Sequence, residues 1–215
     1  MSLESLSAAF RPWLRWVLAL GAAEWAARAL LSVMATSVGA LVGEGPPARA
    51  QLFLAAAMLL AGVLEGALVG FAEAWAWGFG PASRSGRRLI ASSALAFGVL
   101  WILGALASGV EPSAPSVGTL LAVAAGAGAL LGAVLGACQA LALPALGKGW
   151  VVANAFAWAS GMLVGALVSQ WVPDGPFSLF VLSVEMLSGV LTGVVVALSL
   201  FVPSRPLHRG VGSDG

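Results

Sequence analysis

Six stretches of this chain, at about residues 13–42, 51–78, 88–109, 117–143, 149–172 and 177–203, are long, apolar and interrupted by few charges. Nothing else in the sequence constrains the fold as much. A helix rising about 1.5 Å per residue needs about 20 apolar residues to cross a hydrocarbon layer about 30 Å thick, and each stretch is long enough. Lipid offers no partner for a backbone N–H or C=O, so a crossing segment must satisfy those groups internally, as a helix does. A soluble alternative fails on composition: 60% of the residues are hydrophobic and 9% are charged, where a soluble domain is about a quarter charged. The expected class is all-α, a polytopic membrane protein with six transmembrane helices.

Inside the second stretch Gly62, Gly66 and Gly70 recur at every fourth position, with Glu65 and Glu73 among them. The same line returns 66 residues on as Gly128, Gly132, Gly136 and Gln139, and after a further 61 as Gly189 and Gly193. A Trp/Ala-rich segment precedes each glycine segment, with Trp16, Leu89 and Trp150 in register. Residues 91–97 also align with 152–158. A period of this length carrying two apolar segments reads as a helical hairpin. The chain is then a single transmembrane domain of three antiparallel hairpins, approximately 13–78, 88–143 and 149–203, with a flexible cytoplasmic tail at 204–215. Small residues at i, i+4 and i+8 let two helices approach closely in lipid. Packing within the molecule is the plain expectation for these glycines. A sharper one is that three glycine faces line a narrow path on a pseudo-threefold axis.

Loop charges give the topology, because lysine and arginine near helix ends stay in the cytoplasm. Arg11, Arg15, Arg84, Arg87, Arg88, Lys148, Arg205 and Arg209 fall on one side, Arg49 on the other, and Arg28 inside a helix. Both termini are expected in the cytoplasm, and the membrane is expected to be the inner cell membrane. Arg11 and Arg15 ahead of an apolar core also suit a signal peptide, but the apolar run continues to Gly43 and the repeat needs a first helix. The loops are short and rich in Gly and Pro, as at Gly45-Pro46-Pro47 and Pro173-Asp174-Gly175-Pro176, so consecutive helices are antiparallel neighbours. Trp13, Trp16, Trp75, Trp77 and Trp150 at inner ends, and Trp171 at an outer one, match an aromatic belt. Trp25, Trp101 and Trp158 lie deeper and are expected to fill gaps between helices.

Ionisable groups in apolar runs cost about 2.5–3.5 kcal/mol each at a helix centre, so they face protein or water and find partners. Glu24, Arg28, Glu65, Glu73 and Glu185 are of this kind, and Gln139 and Asn154 add neutral polar groups. Glu24 precedes Arg28 by four residues, the favourable order for a pair on one helix face. By residue count Glu24 and Glu65 lie near mid-membrane, Glu73 near the cytoplasmic end and Glu185 in the outer half of its helix. An Arg28 between Glu24 and Glu65 leaves one carboxylate able to carry a proton. The plainer reading is a structural polar lock between the first two helices. Gln139 stands in the repeat where Glu73 stands, so an inner-end polar contact is retained while its charge is not.

Several classes are excluded. One cysteine, Cys138, leaves no disulfide framework or CxxC site. The single histidine, His208, lies in the tail, so no metal site and no cofactor is expected. The run Glu24-Trp25-Ala26-Ala27-Arg28 is similar to the Glu-xxx-Arg element of CAAX-type intramembrane proteases, but the membrane histidines of that family are missing. No nucleophile motif is present, and the chain is not expected to be an enzyme. The basic residues are too sparse for nucleic acid and read as topology determinants. Size, helix number and the small-residue face Ala19, Ala23, Ala27 are loosely similar to the substrate-binding subunits of energy-coupling-factor vitamin transporters. That resemblance implies a small-solute function but brings no binding motif with it. Two functions remain: binding or moving a small solute or ion through the polar centre, and a non-transporting structural or assembly subunit docking through its glycine faces. The expected partners are the lipid bilayer and a membrane protein or a second copy of the chain.

Overall fold

The computed structural model describes residues 3–42, 47–107, 116–170, 187 and 189–196. Their regular structure is helical: α1 (Leu3–Val42), α2 (Pro47–Trp77), α3 (Arg84–Ala107), α4 (Val117–Ala142), a 3-10 turn (Pro144–Leu146) and α5 (Gly147–Ser169). Residues 189–196 are helical as well, and no strand occurs among the described residues. Five segments are long and apolar enough to cross a membrane: Leu14–Met34, Leu52–Trp77, Arg84–Leu103, Val117–Ala142 and Pro144–Val168. These make the chain a multi-pass membrane protein. Most of the sixth apolar run, including Glu185, lies outside the described residues, as do Trp171 and the tail.

Helices α1, α2, α3 and α5 start earlier than the apolar runs, by ten, four, four and two residues. Leu3, Leu6 and Phe10 stand at i, i+3 and i+7, a helical spacing that hydropathy does not detect, and α1 begins there. Ser83 starts α3 at Arg84, because its Oγ accepts from Gly86 N at 3.1 Å and its carbonyl from Arg87 N at 3.0 Å. Gly78, at φ +79°, ends α2. Phe79 N donates back to Ala74 O at 2.8 Å and Gly78 N to Trp75 O at 3.0 Å, so the last carbonyls are satisfied. Ser116 caps α4 through Thr119 N at 3.2 Å, and Pro144, with no N–H to give, stops it.

The glycine rows decide which helices meet. A Cβ on Gly62 would lie 2.7 Å from Phe97 O, and one on Gly66 would run into Ser93 O, so α2 lies directly on α3. On α4, a Cβ at Gly128 would meet Trp158 O at 2.5 Å and one at Gly132 would strike Asn154 O, which seats α4 on α5. Gly189 and Gly193 stand in the same way against Leu20 O at 2.7 Å and Trp16 O at 2.8 Å, so residues 189–196 lie on α1. The three stripes face neighbouring helices and do not face one another, so they line no common path. Without a hydrophobic force between helix and lipid, this close backbone contact is a main source of helix association.

One apolar core runs through the bundle, holding Trp16, Leu20, Val69, Phe97, Leu135, Trp150, Trp158 and Val196. Leu52, Leu60, Leu95, Leu130, Val152 and Phe156 point outward. Such an apolar exterior suits contact with acyl chains. Trp16 and Trp150, expected in the aromatic belt, are buried instead. They pack with Trp77 as a mutual triad, ring centroids 5.5 to 5.8 Å apart. Each such pair contributes about 0.5–1.5 kcal/mol beyond its buried area, which favours a closed cluster over a place among headgroups. Trp75 does stay exposed, with the Arg15 guanidinium over its ring at 5.6 Å. Trp158 fills a gap against Phe97 at 5.4 Å, whereas Trp25 faces outward.

Candidate polar centre

The glycine rows seat polar side chains as well as backbones. A Cβ on Gly62 would come within 2.6 Å of Trp101 Cδ1, and its absence lets the indole cross α2. Trp101 Nε1 then donates to Glu65 Oε2 at 2.5 Å. Gly70 leaves room in the same way for the hydroxyl of Ser93, Gly136 for the side chain of Asn154, and Gly189 for that of Glu24. A polar group in lipid must be held inside protein, and these glycines provide the space for it.

Gln139 is the hub of the network beside the tryptophan triad. Its Nε2 donates to Glu73 Oε2 and to Ser93 Oγ, the latter at 2.9 Å, while its Oε1 accepts from Trp150 Nε1 at 2.6 Å. An indole N–H can only donate, so Trp150 fixes which end of the amide faces it and sends both amide hydrogens toward Glu73 and Ser93. The Ser93 hydroxyl donates to Leu89 O at 2.8 Å, which leaves its oxygen to accept from Gln139. Asn154 Nδ2 donates to Trp150 O at 3.1 Å. Its Oδ1, fully buried, has no hydrogen-bond partner among the described residues, and neither has the Trp77 indole N–H. The tryptophan triad lies against this network through Trp150 itself.

The sequence-predicted residues thus fall into two groups. Glu73, Gln139 and Asn154 join one continuous network. Glu24 and Glu65 are buried elsewhere in the bundle, Glu24 against Gly189 and Glu65 under Trp101, with Arg28 half-buried. All three of these have partners. Ser93, Trp101, Trp150 and the triad escaped the sequence reading. Leu89 and Trp150 stand in register with Trp16, and that alignment was the available signal for Trp150. No group of three His, Cys, Asp or Glu side chains among the described residues is placed to hold a metal ion. Comparison of the chain with protein-family models, curated proteins and solved structures returned no match.

Proposed function

We propose that this is an inner-membrane protein of six spanning helices, three repeated hairpins with both termini in the cytoplasm, whose buried polar network binds and relays protons. Glu73 carries the reading. Its side chain is 1% exposed, and its one hydrogen bond among the described residues comes from the neutral amide of Gln139. An ionised carboxylate taken from water without a cation is costly, by several kcal/mol. A proton is the smallest partner that removes the cost and needs no cavity. Glu24 and Glu65, with the half-buried Arg28, are ionisable groups of the same kind elsewhere in the bundle.

Support for the repeat comes from which positions are buried. With Trp16, Leu89 and Trp150 taken as equivalent, Leu20, Ser93 and Asn154 follow one turn on, then Glu24, Phe97 and Trp158; all nine are buried. Between them Ala23, Ala96 and Ala157 form another buried set. The glycine helices fit this register only if Gly189 corresponds to Gly132, 57 residues earlier, since these two face Leu20 and Asn154. Pairing Gly189 with Gly128, as the sequence spacing suggests, is off by one helical turn. In the corrected register Glu73, Gln139 and Val196 coincide, and all three are buried. Each glycine helix then lies on the first helix of the following hairpin, and residues 189–196 return to α1, which closes a ring.

A packed core in which the glycine faces line no common path favours a second reading, a non-transporting structural or assembly subunit. Proteoliposomes separate the two. With an inward potassium-diffusion potential and an internal pH dye, the wild-type protein should acidify or alkalinise the lumen according to the sign of the potential. Glu73→Gln, which keeps the side-chain volume and can still meet the Gln139 amide, should remain folded and lose the flux. Absence of flux from the folded wild type would establish the structural reading in place of the relay.

The orientation has its own test. Single cysteines placed near Glu44, Glu111 and Asp174 of a Cys138→Ala protein should react with a membrane-impermeant maleimide in intact cells. Cysteines near Arg87 and Lys148 should not. Labelling at Arg87 from outside would overturn the topology.

A further inference from the structure

At the inner end of the bundle a groove of about 570 Å³ opens between α3 and α4, lined by Arg88, Ala91, Ser92, Leu95, Leu141 and Pro144. Two observations say what fills it. The first is electrostatic. Arg84, Arg87 and Arg88 occupy the first two turns of α3, on one face, and no acidic residue accompanies them in the first turn. The N-terminus of a helix carries partial positive charge, so an anion is favoured there and a cation opposed. Three guanidiniums at this end violate the local rule, and an anionic group would restore it. Among the described residues Arg88 has no carboxylate, hydrogen-bond or ring partner.

The second observation is internal and rests on the repeat proposed above. Arg15 of the first hairpin corresponds to Arg88, and Trp75 corresponds to Leu141. In the first hairpin the guanidinium lies over the tryptophan ring at 5.6 Å, which closes the space between α1 and α2. In the second the ring is replaced by Leu141, which is 82% exposed. The arginine is left at the rim, and the floor below it is apolar.

We infer that this groove holds an anionic phospholipid, its phosphate at Arg88 and one acyl chain along Ala91, Leu95 and Leu141. Charge and shape agree on such an occupant: a basic rim at headgroup depth over an apolar slot fits an amphiphile with an anionic head, and basic pockets between helices on the cytoplasmic side bind such heads. Arg84 and Arg87, one turn away on the same face, add to the attraction.

The test is native mass spectrometry of the full-length protein in neutral detergent, titrated with phosphatidylglycerol or phosphatidylcholine. The wild type should retain phosphatidylglycerol preferentially. Arg88→Ala should lower its occupancy about fivefold, the equivalent of ~1 kcal/mol per arginine near a membrane surface. Leu141→Trp, which rebuilds the ring found in the first hairpin, should lower it to a similar extent by closing the groove. Both positions are exposed, so neither change threatens the fold. Arg15→Ala should leave the occupancy unchanged. Equal retention of the two lipids by the wild type, or undiminished phosphatidylglycerol in either groove variant, would overturn the proposal. Glu73→Gln should bind lipid as the wild type does, so failure of the relay and failure of the lipid site are read separately.

Discussion

Gly132→Leu should abolish recovery of folded protein from detergent extracts, whereas Gly126→Leu on the same helix should be recovered at wild-type yield. A Cβ at Gly132 strikes the carbonyl of Asn154 and lies 2.8 Å from Ala155 Cα. At Gly126 nothing stands within 4 Å. Overpacking a core costs about 1–3 kcal/mol where side chains can yield. Here the obstacle is backbone, so Gly132→Ala already falls in that range, and the leucine can be accommodated only by moving α4 off α5. That separation also breaks the network: Gln139 lies on α4 and its Trp150 donor on α5. Gly66→Leu should behave alike, because its Cβ meets Ser93 O and Phe97 Cβ on α3. Size-exclusion profiles and thermal melts of the four variants decide it. A folded, monodisperse Gly132→Leu protein would mean that α4 and α5 are not packed as described.

Much of the architecture was legible because its causes are local. Length and hydropathy specify a spanning helix without reference to any neighbour, and the glycine spacing marks a face that approaches another backbone. What the spacing does not encode is which backbone. Gly62, Gly66 and Gly70 are compatible with lining an axis or covering an adjacent helix, and only the position of α3 decides between them. The same limit explains the tryptophans. Trp16, Trp77 and Trp150 sit at helix ends in the sequence, where an interfacial belt is the default. Their clustering follows from the end of α2 and the start of α5 converging on the middle of α1, a long-range fact. Trp101 was read as a gap filler although its N–H reaches Glu65, since nothing in the sequence says that Gly62 opens the way. The carboxylates were conspicuous from the start because charge in an apolar run is costly wherever it points. The division of the candidate residues between the Gln139 network and Glu24, Arg28 and Glu65 was not legible, because residue counting gives depth in the membrane and no lateral position.

Gln139→Leu should destabilise the protein by about 3–5 kcal/mol, the range for removing one partner of a buried charged or hydrogen-bonded group. The substitution keeps an apolar-compatible volume and removes three hydrogen bonds at once: those to Glu73 and Ser93, and that from Trp150. Glu73 is then buried with no donor and Trp150 with no acceptor. If the cost arises from the stranded carboxylate and not from lost packing, Glu73→Leu added to Gln139→Leu should restore a large part of the stability. The doubly substituted layer then buries no carboxylate, and on the repeat proposed above the buried Val196 is its apolar counterpart. The two residues share one network, so their effects should be strongly non-additive. Thermal unfolding followed by tryptophan fluorescence should also report the loss of the Trp150 bond directly, as a changed indole emission in Gln139→Leu before any unfolding. Additive losses for the single and double variants, with unchanged emission, would show that Glu73, Gln139 and Trp150 do not form one hydrogen-bonded unit, and the relay proposed through Glu73 would lose its structural basis.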